Sequence, residues 1–469
     1  MDTSKKKFGR YTGKEIALSF QHMFAMFGAT VLVPLITGIS PAVALLTAGL
    51  GTLAFHLVTK LKVPVFLGSS FAFIPGILAV GAAYGLDYVG GAVIVAGCLN
   101  FLFAVLIYFF GSDKIGKLLP PIVTGPVILL IGVSLAFSAV NDMLGKNLIV
   151  HATDGTSTSA IEGLSVGGTQ LLSVGIALVT LGVTVASMLY GKKFVKIIPI
   201  LIGLASGYGL CLVLTAAGIK IVDFEAIKNA KWFNVPYQDG FLQLPKFSFG
   251  AALIMMPIAI VTFIEHIGDI TASSKVCGQN FLKDPGLHRT LLGDGLGMAV
   301  AGFFGGPANT TYAENTGVLA ATKNYDPRLL RLTAVFAIVI AFLGKFSGVL
   351  LTIPEPVKGG IEVIVFGMIA GVGLKVIVES KIDILDSRNI TIMGLILIVG
   401  VGVTVVSYDP ATGSVGGIEV GGDFSLSPLL LATLVGVIAN LVFVQKKTKP
   451  QDPTSQDQPE GTLHQGDTS

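Results

Sequence analysis

Charged residues are scarce in this sequence. Of its 469 residues only 13% are Asp, Glu, Lys or Arg, against 52% hydrophobic, and the mean hydropathy is +0.80. A soluble chain of this length needs far more polar surface, so a membrane protein is expected. The net charge of +3 is too small, and the basic residues too scattered between apolar runs, for a nucleic-acid partner. Cysteine is almost absent. Cys98, Cys211 and Cys277 form no CxxC spacing, which excludes a disulfide framework or zinc site and leaves them as packing residues. No HExxH motif and no nucleophile or metal constellation is present, so neither an enzyme nor a cofactor is expected. Lys5-Lys6-Lys7 precedes an apolar run as in a signal peptide, but Gln21-His22 interrupts that run, and an uncleaved first helix is expected.

What is present is a succession of apolar runs. A bilayer core of about 30 Å needs about 20 apolar residues per helix, and fourteen segments meet or approach that length. The first seven cover 17–38, 41–59, 64–83, 88–111, 118–139, 168–190 and 195–219. The second seven cover 247–272, 290–304, 307–322, 330–350, 357–379, 389–408 and 427–445. The expected fold is an all-α polytopic membrane protein. Of 31 Lys and Arg residues, 24 fall in the tails and even-numbered loops, which places both termini in the cytoplasm. After Lys449 the tail is polar, contains proline and shows no apolar periodicity, so it is expected to be disordered.

Two runs of seven segments must enter the membrane in opposite senses, which is the inverted-repeat plan of many transporters. The third segment carries Gly68-Ser-Ser-Phe-Ala-Phe-Ile-Pro75-Gly76, and the tenth carries Gly305-Gly-Pro-Ala-Asn-Thr-Thr-Tyr-Ala-Glu314-Asn-Thr-Gly317. Both are interrupted by Gly and Pro, and both are polar where lipid could not surround them. They are expected to be partly non-helical and to meet at a binding site. Thr311 followed by Glu314 reads as a capping box that starts a new helix.

Ionisable residues inside apolar segments are costly and mark functional routes. In the eighth segment Glu265 and Asp269 are four residues apart, hence on one helical face. Glu314 is either the far member of the capping box or a group that reads a ligand. His22, beside Gln21 in the first segment, is either a satisfied core histidine or support for a site. His56, at the end of the second segment, reads as interfacial. Asn309-Thr310-Thr311 and Asn389-Ile390-Thr391 match the glycosylation pattern, but one is inside a segment and the other at a cytoplasmic end, so both are set aside.

Gln21-His22 through Pro34, Gly68 through Phe73, Glu265-His-Ile-Gly-Asp269, Glu314-Asn-Thr-Gly317 and Thr322-Lys323 together resemble the nucleobase-ascorbate transporters, also called nucleobase:cation symporter family 2. The likeness is strongest to bacterial uracil permeases. It implies a secondary transporter of the inner membrane that imports uracil by proton symport and alternating access, usually as a homodimer. It implies a core domain (17–112 and 247–350) and a gate domain (113–246 and 351–445), flanked by tails 1–16 and 446–469. Short strands are implied in segments three and ten. Glu265 and Glu314 would bind the base, Phe71, Tyr312 and Ala313 would line the pocket and offer backbone N–H groups, and Asp269 and His22 would support proton coupling through Glu265. The chain departs from some uracil permeases in having Asp269 where they have His, and from close relatives in having Ala313 where they have Gly.

The chemistry agrees independently. Uracil presents ring N–H donors and carbonyl acceptors, so its site needs carboxylate acceptors and backbone N–H donors. A carboxyl group in a low-dielectric pocket holds a proton more readily than in water, which allows proton coupling without another cofactor. A purine base of the xanthine type is an alternative substrate. An anion, favoured by helix N-termini, is opposed by the two acids. A channel would need a continuous polar path, whereas the polar residues cluster at the two breaks.

Overall fold

The computed structural model describes residues 11–111, 120–151, 157–161, 163–236, 245–409, 414–415, 417–421 and 424–443. The expected disordered tail at 446–469 lies outside them, as do residues 1–10 of the N-terminal tail. The first half contains α1 (Gly13–Thr37), α2 (Pro41–Val58), strand β1 (Leu67–Ser69), α3 (Ile74–Tyr84), α4 (Asp87–Phe110), α5 (Pro121–Ser134), α6 (Ala136–Met143), α7 (Val166–Tyr190), α8 (Pro199–Ala216) and the short α9 (Glu225–Asn229). The second half contains α10 (Phe249–Cys277), α11 (Leu287–Phe303), strand β2 (Asn309–Thr311), α12 (Ala313–Thr322), α13 (Pro327–Ala341), α14 (Gly344–Leu351), α15 (Glu355–Glu379), α16 (Ser387–Val406) and α17 (Pro428–Val442).

Local chemistry sets the helix ends. Thr12 Oγ1 accepts from the Glu15 N–H, and Glu15 Oε2 accepts from the Thr12 N–H at 2.7 Å. This capping box starts α1 four residues before the apolar run that marked it. Pro41, Pro121, Pro199, Pro327 and Pro428 each open a helix, where a missing N–H costs nothing. Gly38 and Gly278, both left-handed, close α1 and α10.

Among the described residues nine helical stretches are long and apolar enough to cross a membrane, with α5 and α6 counted as one. The other five expected segments hold shorter helices: α3, α11, α12, the pair α13 and α14, and α17. The eleventh segment is broken because Leu343 bridges Phe233 and the Gly344 N–H donates to the Trp232 carbonyl, drawing the loop after α9 into the gap.

The helices pack in two sets. In one, α2 and α4 pack on α11, α13 on α2, α10 on α4, and α1 on α13. In the other, α15 packs on α5, α6, α7 and α8, while α16 lies on α5 and α17. His56 differs from its expected interfacial position. It is fully buried, with Nε2 2.9 Å from the Val65 carbonyl, because the chain turns back beside α2 to form β1. Cys211 is buried as a packing residue, but Cys98 is exposed on α4.

Candidate functional site

The two interrupted segments meet, as their Gly/Pro breaks predict. β1 and β2 pair antiparallel, Leu67 opposite Thr311 and Ser69 opposite Asn309. The Tyr312 N–H donates to the Phe66 carbonyl and the Ser70 N–H to the Ala308 carbonyl, extending the ladder by one bond at each end. A two-stranded piece inside helical surroundings is tolerated because each strand satisfies the other's backbone. α3 leaves β1 through a 3-10 turn at Phe71–Phe73, and α12 leaves β2 directly. The positive ends of both helix dipoles therefore face the strand pair.

Gly68 is required here. A Cβ on it would lie 2.5 Å from the Tyr312 ring and 2.8 Å from Thr30 Oγ1. The space it leaves is filled by the Tyr312 phenol, which donates to the Ser69 carbonyl at 2.7 Å and accepts from Thr30 at 3.2 Å. Tyr312 thus differs from the expectation that it lines a pocket. The residue as a whole is 5% exposed and its N–H is taken by the Phe66 carbonyl, so it braces β1 against α1 from behind.

α10 supplies the acids. Glu265 is exposed and Asp269 half-buried although α10 is otherwise largely enclosed, and the adjacent Ala313 is exposed with Glu314 and Phe71 half-buried. The accessible sides of these groups, on α10 and at the starts of α3 and α12, define the candidate recess. Glu265 lies within electrostatic range of Glu314 and Asp294. Asp269 Oδ2 accepts the Thr311 hydroxyl at 3.0 Å, and Asp294 Oδ1, on α11, accepts the Thr311 N–H at 3.1 Å. The last residue of β2 is thereby tied to two helices at once.

The expected capping box of Thr311 and Glu314 does not form. Pairing with Leu67 keeps Thr311 in the strand, its hydroxyl goes to Asp269, and α12 starts at Ala313 with Tyr312 as the cap residue and no side-chain cap. Glu314 is therefore in the first turn and outside any capping box, its carboxyl in contact with its own backbone N–H. His22 is fully buried and joins α1 to α12, its Nδ1 3.2 Å from Asn315 Nδ2, which also donates to the His22 carbonyl. Among the described residues His22 makes no hydrogen bond to Glu265 or Asp269; its contact is with the residue after Glu314.

Three further residues belong to this constellation. Asp294 is fully buried, accepts from Asn100 at 3.2 Å and lies 3.5 Å from His266 Nδ1. His266 in turn has Nε2 3.1 Å from the Thr290 hydroxyl. The sequence signal for Asp294 was there, a carboxyl inside the ninth apolar segment, under the rule that marked Glu265. Asn315 carried no such mark because an uncharged amide is unremarkable until its partner is known. The recess presents two carboxylates on one side and the start of α12 on the other, so it can bind a small ring that carries both N–H and carbonyl groups.

The Permease family model matches residues 13–408. The chain is 40% identical over 448 residues to the uracil permease of Bacillus subtilis (strain 168), covering 94% of this chain and 95% of that protein. It is 39% identical over 432 residues to the uracil permease of Bacillus caldolyticus, covering 92% of each. The transmembrane domain of BicA, a bicarbonate transporter of a cyanobacterium, matches with a TM-score of 0.57 at 16% identity over 91% of this chain and 96% of that one. At that identity the likeness is of fold alone.

Proposed function

We propose that this chain, which belongs to the permease family whose model it matches, imports uracil by proton symport with alternating access. The observation that carries the reading is that Glu265 of α10 and Glu314 of α12 lie within range of one another's charge beside the β1–β2 pair. Glu265 and Glu314 accept the ring N–H groups of the base, Phe71 and Ala313 line the recess, and the first turn of α12 offers N–H groups to a carbonyl. Glu265 carries the proton, with Asp269 beside it. His22 acts through Asn315 on the placement of Glu314, and Tyr312 holds the strand pair in place.

The two packing sets support a core of segments one to four and eight to eleven moving against a gate of segments five to seven and twelve to fourteen. On this reading fourteen segments cross the inner membrane as two inverted repeats, both termini are cytoplasmic, and the protein works as a homodimer. Two acids in the recess favour a neutral base over an anion, although BicA shares the fold.

Radiolabelled uracil uptake by reconstituted protein tests the proposal, with unlabelled thymine and xanthine as competitors, with a protonophore, and without sodium. Saturable uptake abolished by the protonophore, indifferent to sodium and blocked best by uracil is expected. Xanthine competing better than uracil would replace the pyrimidine with a purine, and uptake that needs sodium would replace the coupling ion.

A further inference from the structure

A second pair of acids lies on helices that carry none of the recess residues, where the end of α6 meets the first turns of α15. Gly359 makes the meeting possible. A Cβ on it would fall 2.3 Å from the Met143 nitrogen and 2.7 Å from the Asp142 carbonyl carbon, so the two backbones touch. One turn further along, Glu362 is 0% exposed, and among the described residues no N–H or O–H donor reaches either of its carboxylate oxygens. Another acid does reach it: the side chains of Asp142 and Glu362 are in hydrogen-bond contact.

Ionised carboxylates only accept hydrogen bonds, so two of them in contact have nothing to share. As two anions they would also repel strongly in apolar surroundings. A single proton resolves both problems, turning one carboxyl into a donor and leaving one negative charge. Lys358, four residues before Glu362, acts on both acids with a favourable charge, and Glu355 opposes it. α5 brings no titratable group to α15, α7 and α8 bring only Tyr190, Tyr208 and Cys211, and Lys146, in the turn after α6, is not among the groups whose charge acts on Asp142. Lys14, Glu15 and His22 of α1 are not among the groups whose charge acts on Glu362.

We infer that Asp142 and Glu362 bind one proton between them, at a site separate from the recess, and that this proton clamps α6 to α15. Its loss sets two anions face to face and drives the end of α6 away from the Gly359 contact. In the orientation proposed above this contact is at the outer face, so the clamp makes the outer end of the gate responsive to external pH.

With the shared proton the folded protein binds one proton more than the unfolded chain, whose Asp and Glu residues are ionised at neutral pH. Stability therefore falls as pH rises and the proton leaves. Thermal melting of the full chain in detergent, from mildly acidic to mildly alkaline pH, reads this without reference to uracil. In Glu362→Gln the amide donates to Asp142 with no titrating proton, and part of the alkaline loss of melting temperature seen in the wild type is expected to disappear. Asp142→Asn changes the half-buried member of the pair, should flatten the curve in the same way, and decides the matter if Glu362→Gln does not fold. Melting curves whose pH dependence parallels that of the wild type would overturn the clamp, whatever substrate the recess takes.

Discussion

Thr311 hands its hydroxyl to Asp269 at 3.0 Å, across the boundary between a two-stranded ladder and a long helix. Asp269 is thereby held toward the strand pair while Glu265, one turn away on α10, stays accessible in the recess. Thr311→Val keeps the β-branched shape that suits the strand but leaves a half-buried carboxylate oxygen without its donor, a loss of about 1–3 kcal/mol. Uptake should slow, while the affinity for base changes by less than about threefold, under 1 kcal/mol. Initial-rate kinetics in proteoliposomes separate the two, and a variant with wild-type rates would show that Asp269 needs no holding.

Glu265→Gln removes the group assigned to carry the proton and keeps its size. Accumulation against a gradient should be lost, whereas exchange of internal for external uracil, which requires no net proton movement, should persist at raised uracil concentration, because the Gln carbonyl accepts the ring N–H more weakly than the carboxylate. The same vesicles, assayed with and without an imposed proton gradient, report both. Concentrative uptake at the wild-type level would remove Glu265 from the coupling role.

Glu314→Gln separates binding from folding, because no capping box depends on the carboxyl and the Gln carbonyl can keep its contact with the residue's own N–H. Melting should be unchanged, and uracil should bind about 10–100-fold more weakly for the 1–3 kcal/mol cost of a lost charged acceptor or an N–H set against an N–H. Equal affinity in calorimetry would leave Glu314 outside the binding site.

Asp294→Leu orphans the Thr311 N–H and leaves the Asn100 amide only the Met298 sulfur, at about 1–3 kcal/mol for the buried backbone donor. A clear drop in melting temperature is expected. Asp294→Asn should be milder, because Asn100 can turn over and offer its Oδ1, which has no partner among the described residues. Equal destabilisation by the two variants would mean that the charge of Asp294 matters more than its hydrogen bonds.

Tyr312→Phe deletes the phenol's bond to the Ser69 carbonyl while retaining the ring that fills the space beside Gly68. A loss of about 1 kcal/mol in stability is expected, with affinity for base unchanged. A large loss of affinity without loss of stability would return Tyr312 to the pocket wall.

The interrupted segments were legible because glycine and proline write a break directly into the sequence, and because polar runs such as Asn309–Thr311 have no other place in a membrane protein. The capping box was misread for a reason of the same kind. A Thr-x-x-Glu pattern states what could cap a helix, but whether the Thr sits at a helix boundary depends on its partner strand, here residues 67–69, some 240 positions earlier. Asp294 and Glu362 are different. Both are buried carboxyls within apolar segments, where sequence shows the cost of the charge but not the group each one meets, the Thr311 N–H for Asp294 and the Asp142 side chain for Glu362. His56 is hidden likewise, since its acceptor is a backbone carbonyl, and backbone carbonyls leave no trace in residue identity.

The β1–β2 pair also constrains how the protein is made. As the chain emerges from the ribosome, residues 67–69 reach the membrane long before residues 309–311 exist, and until then the polar backbone of β1 has no ladder to join. In hydrocarbon each unpaired group costs several kcal/mol. The third segment therefore cannot settle at its final depth during early insertion; it must wait near water or beside a helper until the second half arrives. Contacts this distant in sequence form slowly. A chain truncated before β2 should accordingly be recognised as unfinished and degraded, even though α1, α2 and α4 are each apolar enough to remain in the bilayer.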